Sequence, residues 1–223
     1  MKKSKCEVCG CEFDYEPQQW MGKEVSAPRV CQPCADAEEK QREAEEKRRG
    51  AEKRFLEVCP PLYRQTDTKR LPRAFLQAIE EWKFGPTGIG FIGKPGIGKT
   101  RAAFLLIRRV LEEGRSVAAV GSTGFNDLCV RQFSGNDDER SSACDEISEI
   151  RWSEVTLIDD VGKGKMTERA EMELYALLEH RTSYELPTIW TANSGVDFLT
   201  SVMSKDRGPA IVRRLVEFSR VIQ

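Results

Sequence analysis

Gly93-Lys94-Pro95-Gly96-Ile97-Gly98-Lys99-Thr100 places its glycines, lysine and threonine at the spacing GxxxxGK[ST]. A loop this rich in glycine exposes successive backbone N–H groups that can wrap the β-phosphate of a nucleotide. In such a loop the Lys99 ammonium reaches the β- and γ-phosphates, and the Thr100 hydroxyl holds Mg²⁺. So short a pattern needs a buried strand before it and a helix after it. Gly88-Ile89-Gly90-Phe91-Ile92 supplies the strand, an apolar run that neighbouring parallel strands can support despite its glycines. Arg101 to Glu113 supplies the helix, rich in good helix formers and ended by Gly114. The positive end of that helix points at the same phosphates.

Outward from this unit, Ser116–Val120, Val155–Ile158, Thr188–Thr191 and Arg220–Gln223 read as further strands. Leu71 to Lys83 reads as an amphipathic helix with Leu71, Phe75, Ile79 and Trp82 on one face. Glu168–Arg181 and Ala210–Ser219 read as two more helices. Strands alternating with helices predict an α/β domain with a five-stranded parallel sheet over residues 55–223. Cys59-Pro60-Pro61-Leu62-Tyr63-Arg64 opens it as a proline-stiffened stretch. Between Gly121 and Arg151 the pattern is weak, and the polar run Gly135-Asn-Asp-Asp-Glu-Arg-Ser-Ser142 reads as a loop.

Upstream, Cys6-Glu-Val-Cys9 and Cys31-Gln-Pro-Cys34 stand 21 residues apart. Each pair turns two thiolates to one side, and four soft thiolates in a tetrahedron suit Zn²⁺. Cys11 is an alternative ligand, although its C-x-C spacing to Cys9 suits a knuckle less well. Residues 1–35 are too few to bury a core, so the metal supplies most of the folding energy of this module. With all four positions filled by protein, the zinc is structural. From Ala35 to Arg54, 14 of 20 residues are charged, seven of each sign. That balance reads either as a solvated helical spacer over residues 36–54 laced with ion pairs, or as a partner-binding helix. Ala37, Ala44 and Ala51 recur every seven residues, with Val58 continuing the count, but so thin a seam does not establish a coiled coil.

The 223 residues carry a net charge of −1, so no global positive field draws the chain onto nucleic acid, and any such binding needs a local patch. No apolar run approaches a membrane span, and the basic start Met1-Lys-Lys-Ser-Lys-Cys6 has no apolar stretch behind it. A cytoplasmic protein is expected, where eight cysteines argue for metal or free thiols over disulfides.

Val155-Thr-Leu-Ile-Asp159-Asp160 is the partner of the glycine loop, an apolar strand that delivers carboxylates to its C-terminal end. Asp159 would hold Mg²⁺ and Asp160 would polarise the attacking water. Asn193 ends the next strand, either to orient that water or as a turn residue. Arg207, Arg213 and Arg214 are surface arginines or donors to a neighbouring subunit's γ-phosphate. His180, the single histidine, reads as structural.

Gly93–Thr100, Leu157-Ile-Asp159-Asp160-Val-Gly162, Thr191-Ala-Asn193 and the arginine-bearing C-terminal helix together resemble AAA+ ATPases of the DnaC/IstB type. These are bacterial and phage replicative helicase loaders and their transposon relatives, and the resemblance covers residues 55–223. It implies ATP and Mg²⁺ as cofactors, with Gly93, Pro95, Gly96, Ile97, Gly98, Lys99, Thr100 and Arg101 around the nucleotide. It implies Asn193 as the residue called sensor 1, and Arg213 or Arg214 as an arginine finger, with Arg207 an alternative. Tyr63 and Arg64 fall where related chains border the adenine. The Asp-Asp pair resembles this group more than AAA+ proteins at large, which usually carry Asp-Glu. The chain ends at Gln223 in its last strand, so the helical lid of many AAA+ proteins is expected to be missing. A zinc-binding N-terminal domain that contacts the helicase is also found in a loader of this group.

The resemblance implies ATP-dependent loading of a replicative DNA helicase, with single-stranded DNA and further copies of the chain as partners. Lys163 and Lys165 are then either DNA contacts or part of a solvated loop. The alternative it leaves is an IstB-like ATPase that binds duplex DNA and recruits a transposase.

Overall fold

The computed structural model describes residues 1–17, 19–21, 23–24 and 26–223. They form two compact units, Met1–Gly50 and Ala51–Gln223.

In the first unit β1 (Lys2–Lys5) pairs antiparallel with β2 (Glu12–Tyr15), in register from Lys2 opposite Tyr15 to Lys5 opposite Glu12. The link between them closes on itself, with the Gly10 N–H donating to the Cys6 carbonyl at 3.0 Å and Gly10 at φ +74°. A second antiparallel pair joins β3 (Gln19–Trp20) to β4 (Lys23–Glu24). Helix α1 (Gln32–Val58) starts directly after Cys31 and runs past the end of the unit. Ala37 and Ala44 are exposed with the charged residues around them, while Ala51 is buried in the second unit.

The second unit continues through one-turn helices at Pro61–Tyr63 and Thr68–Arg70 into α2 (Arg73–Glu81). Its core then runs β5 (Gly88–Ile92), α3 (Lys99–Glu112), β6 (Val117–Gly121), α4 (Ser122–Arg131), α5 (Asp137–Trp152), β7 (Val155–Val161), α6 (Glu168–Ser183), β8 (Thr188–Ala192), α7 (Val196–Val202), α8 (Gly208–Glu217) and β9 (Ser219–Ile222). The five strands are all parallel, as the sequence pattern predicts, and lie in the order β6-β7-β8-β5-β9. Because β8 lies between β5 and β7, its C-terminal end falls beside both the glycine loop and the carboxylates.

Strand side chains alternate between two faces, as the pleat requires. Ile89, Phe91, Val117, Val155, Leu157 and Ile189 pack with Phe55, Phe75, Ile79, Phe104 and Ile107 on one side. Ile92, Ala118, Ile158 and Trp190 pack with Phe125, Ile147, Leu174, Ile211 and Leu215 on the other. Gly90 stands opposite Trp190 across the β5–β8 pair, and a Cβ there would lie 2.4 Å from the indole ring. The glycine that weakens β5 in isolation is what admits the largest fully buried side chain.

The stretch expected to be a loop is largely helical. Asn136 caps α5, its side chain accepting from the Asp138 and Glu139 N–H groups, and three acidic residues fill the first turn where the helix dipole favours them. At the other end of α5, Arg181 of α6 is fully buried. Its guanidinium donates to the carbonyls of Ile150, Arg151, Ser153, Glu154 and Pro187 and to the Thr188 hydroxyl. Burial pulls its pKa down to about 9, and carbonyls at a helix C-terminus stand in for a counter-ion. No described helix is long and apolar enough to cross a membrane.

Candidate nucleotide site and cysteine cluster

The glycine loop leaves β5 at Gly93 and enters α3 at Lys99. Gly98 has φ +96°, in the region L side chains avoid, and a Cβ there would lie 2.5 Å from Leu71 Cδ2. The Ile97 side chain turns inward against the core and passes beneath Gly93, so it anchors the loop rather than lining the cavity. Pro95, Gly96, Gly98, Lys99, Thr100 and Arg101 line a cavity of about 270 Å³ together with Tyr63, Asp160, Lys163 and Asn193. Lys99 is buried, and its ammonium donates to the Lys94 carbonyl at 3.0 Å. Burial lowers its pKa, and the nearby Asp160 and Asp159 charges oppose that shift.

The carboxylates owe their placement to a bulge. Ile158 pairs with Trp190 and Val161 with Ala192, so Asp159 and Asp160 together face the single residue Thr191. Asp160 adopts φ +58° to complete the bend. The Thr191 hydroxyl donates to Asp159 Oδ1 at 2.7 Å and accepts from the Asp160 N–H at 2.8 Å. The Thr100 hydroxyl also donates to Asp159, 3.0 Å from Oδ1. Burial raises the Asp159 pKa, and the Thr191 and Thr100 hydrogen bonds only partly counter it. A half-buried carboxylate held by two hydroxyls, beside a cavity with a buried ammonium, is a donor set that would suit Mg²⁺ with a phosphate group. The Asp160 carboxylate receives Asn193 Nδ2 at 2.9 Å on one oxygen and Lys163 Nζ at 2.8 Å on the other. That hydrogen bond raises the Lys163 pKa.

Most of the motif residues therefore converge, but others do not join them. Tyr63 lines the cavity, stacks on Phe104 at 5.7 Å and lies under the Arg101 guanidinium. Arg64 turns instead to the last turn of α1, donating to the Leu56 and Cys59 carbonyls at 2.7 and 3.0 Å. The three C-terminal arginines pair within their own chain: Arg207 with Glu168, Arg213 with Glu217, and Arg214 with Glu179 while lying over the Tyr175 ring. The sequence pattern assigned no role to other contributors. Thr191 ties the Asp159 carboxylate to the Asp160 main chain, a role its position at the end of a strand beside the Asp-Asp strand could have signalled. Gln65, Asp67, Arg70 and Leu71 line an adjoining cavity of about 320 Å³ that shares Gly96, Gly98 and Arg101. His180 packs between Trp152 and Tyr184 and is not among the residues lining the cavity at the glycine loop.

In the first unit the sulfurs of Cys6, Cys9, Cys31 and Cys34 all lie within 4.8 Å of one another. Cys9 and Cys31 stand 3.7 Å apart, close to the tetrahedral edge of about 3.8 Å that Zn–S bonds of about 2.3 Å imply. The Cys9 and Cys31 N–H groups draw the Cys6 pKa down to about 6, whereas the Cys31 and Cys9 sulfurs push Cys34 up. Four thiolates this close would repel one another, and a divalent cation would offset that repulsion. Cys11 Sγ lies 3.2 Å from Cys9 Sγ, at the margin of the set.

No family model matches the sequence, and no curated protein matches it. Solved structures do resemble it. A primosome component from Streptococcus pyogenes serotype M3 superposes with a TM-score of 0.57 at 20% identity, covering 74% of this chain and 89% of that one. The DnaC helicase loader gives 0.51 at 18%, covering 76% and 97%. The replication initiator DnaA bound to AMPPCP and single-stranded DNA gives 0.54 at 17%, covering 67% and 44%. The chain thus spans less than half the length of the AMPPCP-bound DnaA chains it matches. These likenesses, with the strand order and the loop geometry, give the second unit the AAA+ P-loop fold.

Proposed function

We propose that the chain is an AAA+ ATPase that loads a replicative DNA helicase onto DNA, with ATP binding and hydrolysis as its switch. The observation that carries the reading is the meeting of three strand ends. Thr100 from the first turn of α3, where the loop after β5 ends, Asp159 from β7 and Thr191 from β8 share one hydrogen-bonded cluster, with Asp160 and Asn193 beside it. Bound Mg²⁺ would neutralise charge that develops on the phosphates. Lys99 and the loop N–H groups would hold the phosphates, Thr100 and Asp159 would hold the metal, Asp160 would accept a proton from water, and Asn193 would position that carboxylate. Tyr63 and Arg101 line the same cavity, where they would border the nucleoside.

The likeness to DnaC and to a primosome component supports the loader role, and the DnaA structure with AMPPCP and single-stranded DNA supports nucleotide and strand as ligands. Arg213, Arg214 or Arg207 would reach a neighbour's phosphate in an oligomer. Zinc at Cys6, Cys9, Cys31 and Cys34 would shape a module that docks the helicase. The protein would act in the cytoplasm.

The test pairs the full chain with the hexameric helicase of its host. ATP should promote helicase loading on a closed single-stranded circle. Loading and turnover should both be lost in Asp160→Asn, while fluorescent ATP-analogue binding survives. Removal of residues 1–54 should abolish helicase capture and keep nucleotide binding. Full turnover in Asp160→Asn would overturn the catalytic assignment, and capture by the truncated chain would move the docking surface into residues 55–223.

A further inference from the structure

We propose that Lys163 is a latch on Asp160, released when a nucleic-acid phosphate takes its ammonium, so that strand binding permits hydrolysis. This rests on the ATPase reading above. A carboxylate that polarises water needs an oxygen turned to it whose charge is not already drawn off by a cation. Both oxygens of Asp160 are engaged, by Asn193 at 2.9 Å and by Lys163 at 2.8 Å.

The two donors differ in how they can leave. Asn193 follows directly from a fully buried strand and lines the cavity. Lys163 comes from outside, with its side chain 63% exposed against 23% for Asp160. It lies between Gly162 at φ +79° and Gly164 at φ +82°. Gly162 is pinned, because a Cβ there would meet Leu199 at 2.5 Å, whereas Gly164 faces open space. The loop therefore has a fixed root at Gly162 and a free bend at Gly164. Lys165 follows, also exposed.

An ion pair this exposed is weak, which is what a displaceable restraint requires. A polynucleotide backbone offers anions at regular intervals, so one strand can engage Lys163 and Lys165 together. With Lys163 drawn away, Asp160 keeps Asn193 on one oxygen and turns the other to water. Lys163 is thus a positioning residue, acting through Asp160.

The test compares the full chain with Lys163→Met and Lys163→Arg. Amide hydrogen exchange over residues 161–165 is followed without nucleotide, with and without oligothymidine, and separately with Mg²⁺ and a non-hydrolysable ATP analogue alone. ATP turnover is measured with and without the oligonucleotide. Oligothymidine should speed exchange in the parent. Lys163→Met should exchange fast throughout, raise basal kcat about threefold to fivefold, the scale of an exposed ion pair, leave KM for ATP within about twofold, and lose its response to DNA. Lys163→Arg, which keeps a cation in reach, should restore the restraint. Parental exchange and kcat in Lys163→Met, loss of its turnover, or opening of the parent by Mg²⁺–nucleotide alone would each overturn the latch. If the parent binds no fluorescent ATP analogue, the nucleotide reading fails instead, and the exchange arm without nucleotide still decides the latch.

Discussion

The two units of this chain reach a defined shape by different physics. Among the described residues of Met1–Gly50, Cys6 and Cys31 are the buried side chains, and both belong to the cysteine cluster that could hold a metal ion. Ala51–Gln223 instead fills both faces of a sheet with apolar side chains. In the first unit a few cysteines at set spacings form the buried centre. In the second, stability is spread over many contacts, and polar residues are free to form a site at the strand ends. Agents that act on one unit should therefore leave the other intact.

The largest effect should come from metal removal. A chelator strong enough to strip zinc, or Cys31→Ser, should cost the first unit on the order of 10 kcal/mol, more than so small a unit can supply otherwise. Hydrogen exchange should then show the β1–β2 amides losing protection while those of β5, β7 and β8 keep it. Persisting protection in residues 2–15 would break the comparison. Next is Arg181→Met, which strips a buried cation from five carbonyls and should cost roughly 3–5 kcal/mol. Denaturant titration of the second unit reads this loss, with the metal content of the protein unchanged. Gly90→Ala should cost about 1–3 kcal/mol through its clash with Trp190. A smaller ring in Trp190→Phe should recover part of that, and additive losses would rule out the clash. The smallest effect is Asn136→Ala, which removes the cap of α5 for about 1 kcal/mol, seen as a small drop in melting temperature.

The same division explains what could be read from the residues alone. Gly93–Thr100, the Asp-Asp strand and the paired cysteines have fixed spacings because phosphate, metal and backbone geometry demand them, and the folded chain brings each set together. The alternation of apolar strands predicted the sheet. Helix α5 escaped because Ala143, Ile147 and Ile150, its buried stripe, are scattered among charges. Its start was written in Asn136 and the acidic turn after it, which suit a helix cap as well as a loop. Arg181 gives no signal of burial, since the carbonyls that hold it come from segments about 30 residues upstream as well as from its own neighbourhood. The parity that sets Thr191 against both carboxylates depends on the bulge, which no local pattern announces.

That bulge also sets a limit on chemical substitution. With φ at +58°, position 160 suits aspartate or asparagine, whose short side chains tolerate a left-handed backbone better than longer ones do. Glutamate would strain the bend and carry its carboxylate one methylene beyond Asn193. Side-chain length and main-chain path are therefore matched at this site, as a key is cut for one lock. A change that looks conservative on paper, Asp160→Glu, should disturb the centre more than the isosteric Asp160→Asn disturbs its shape.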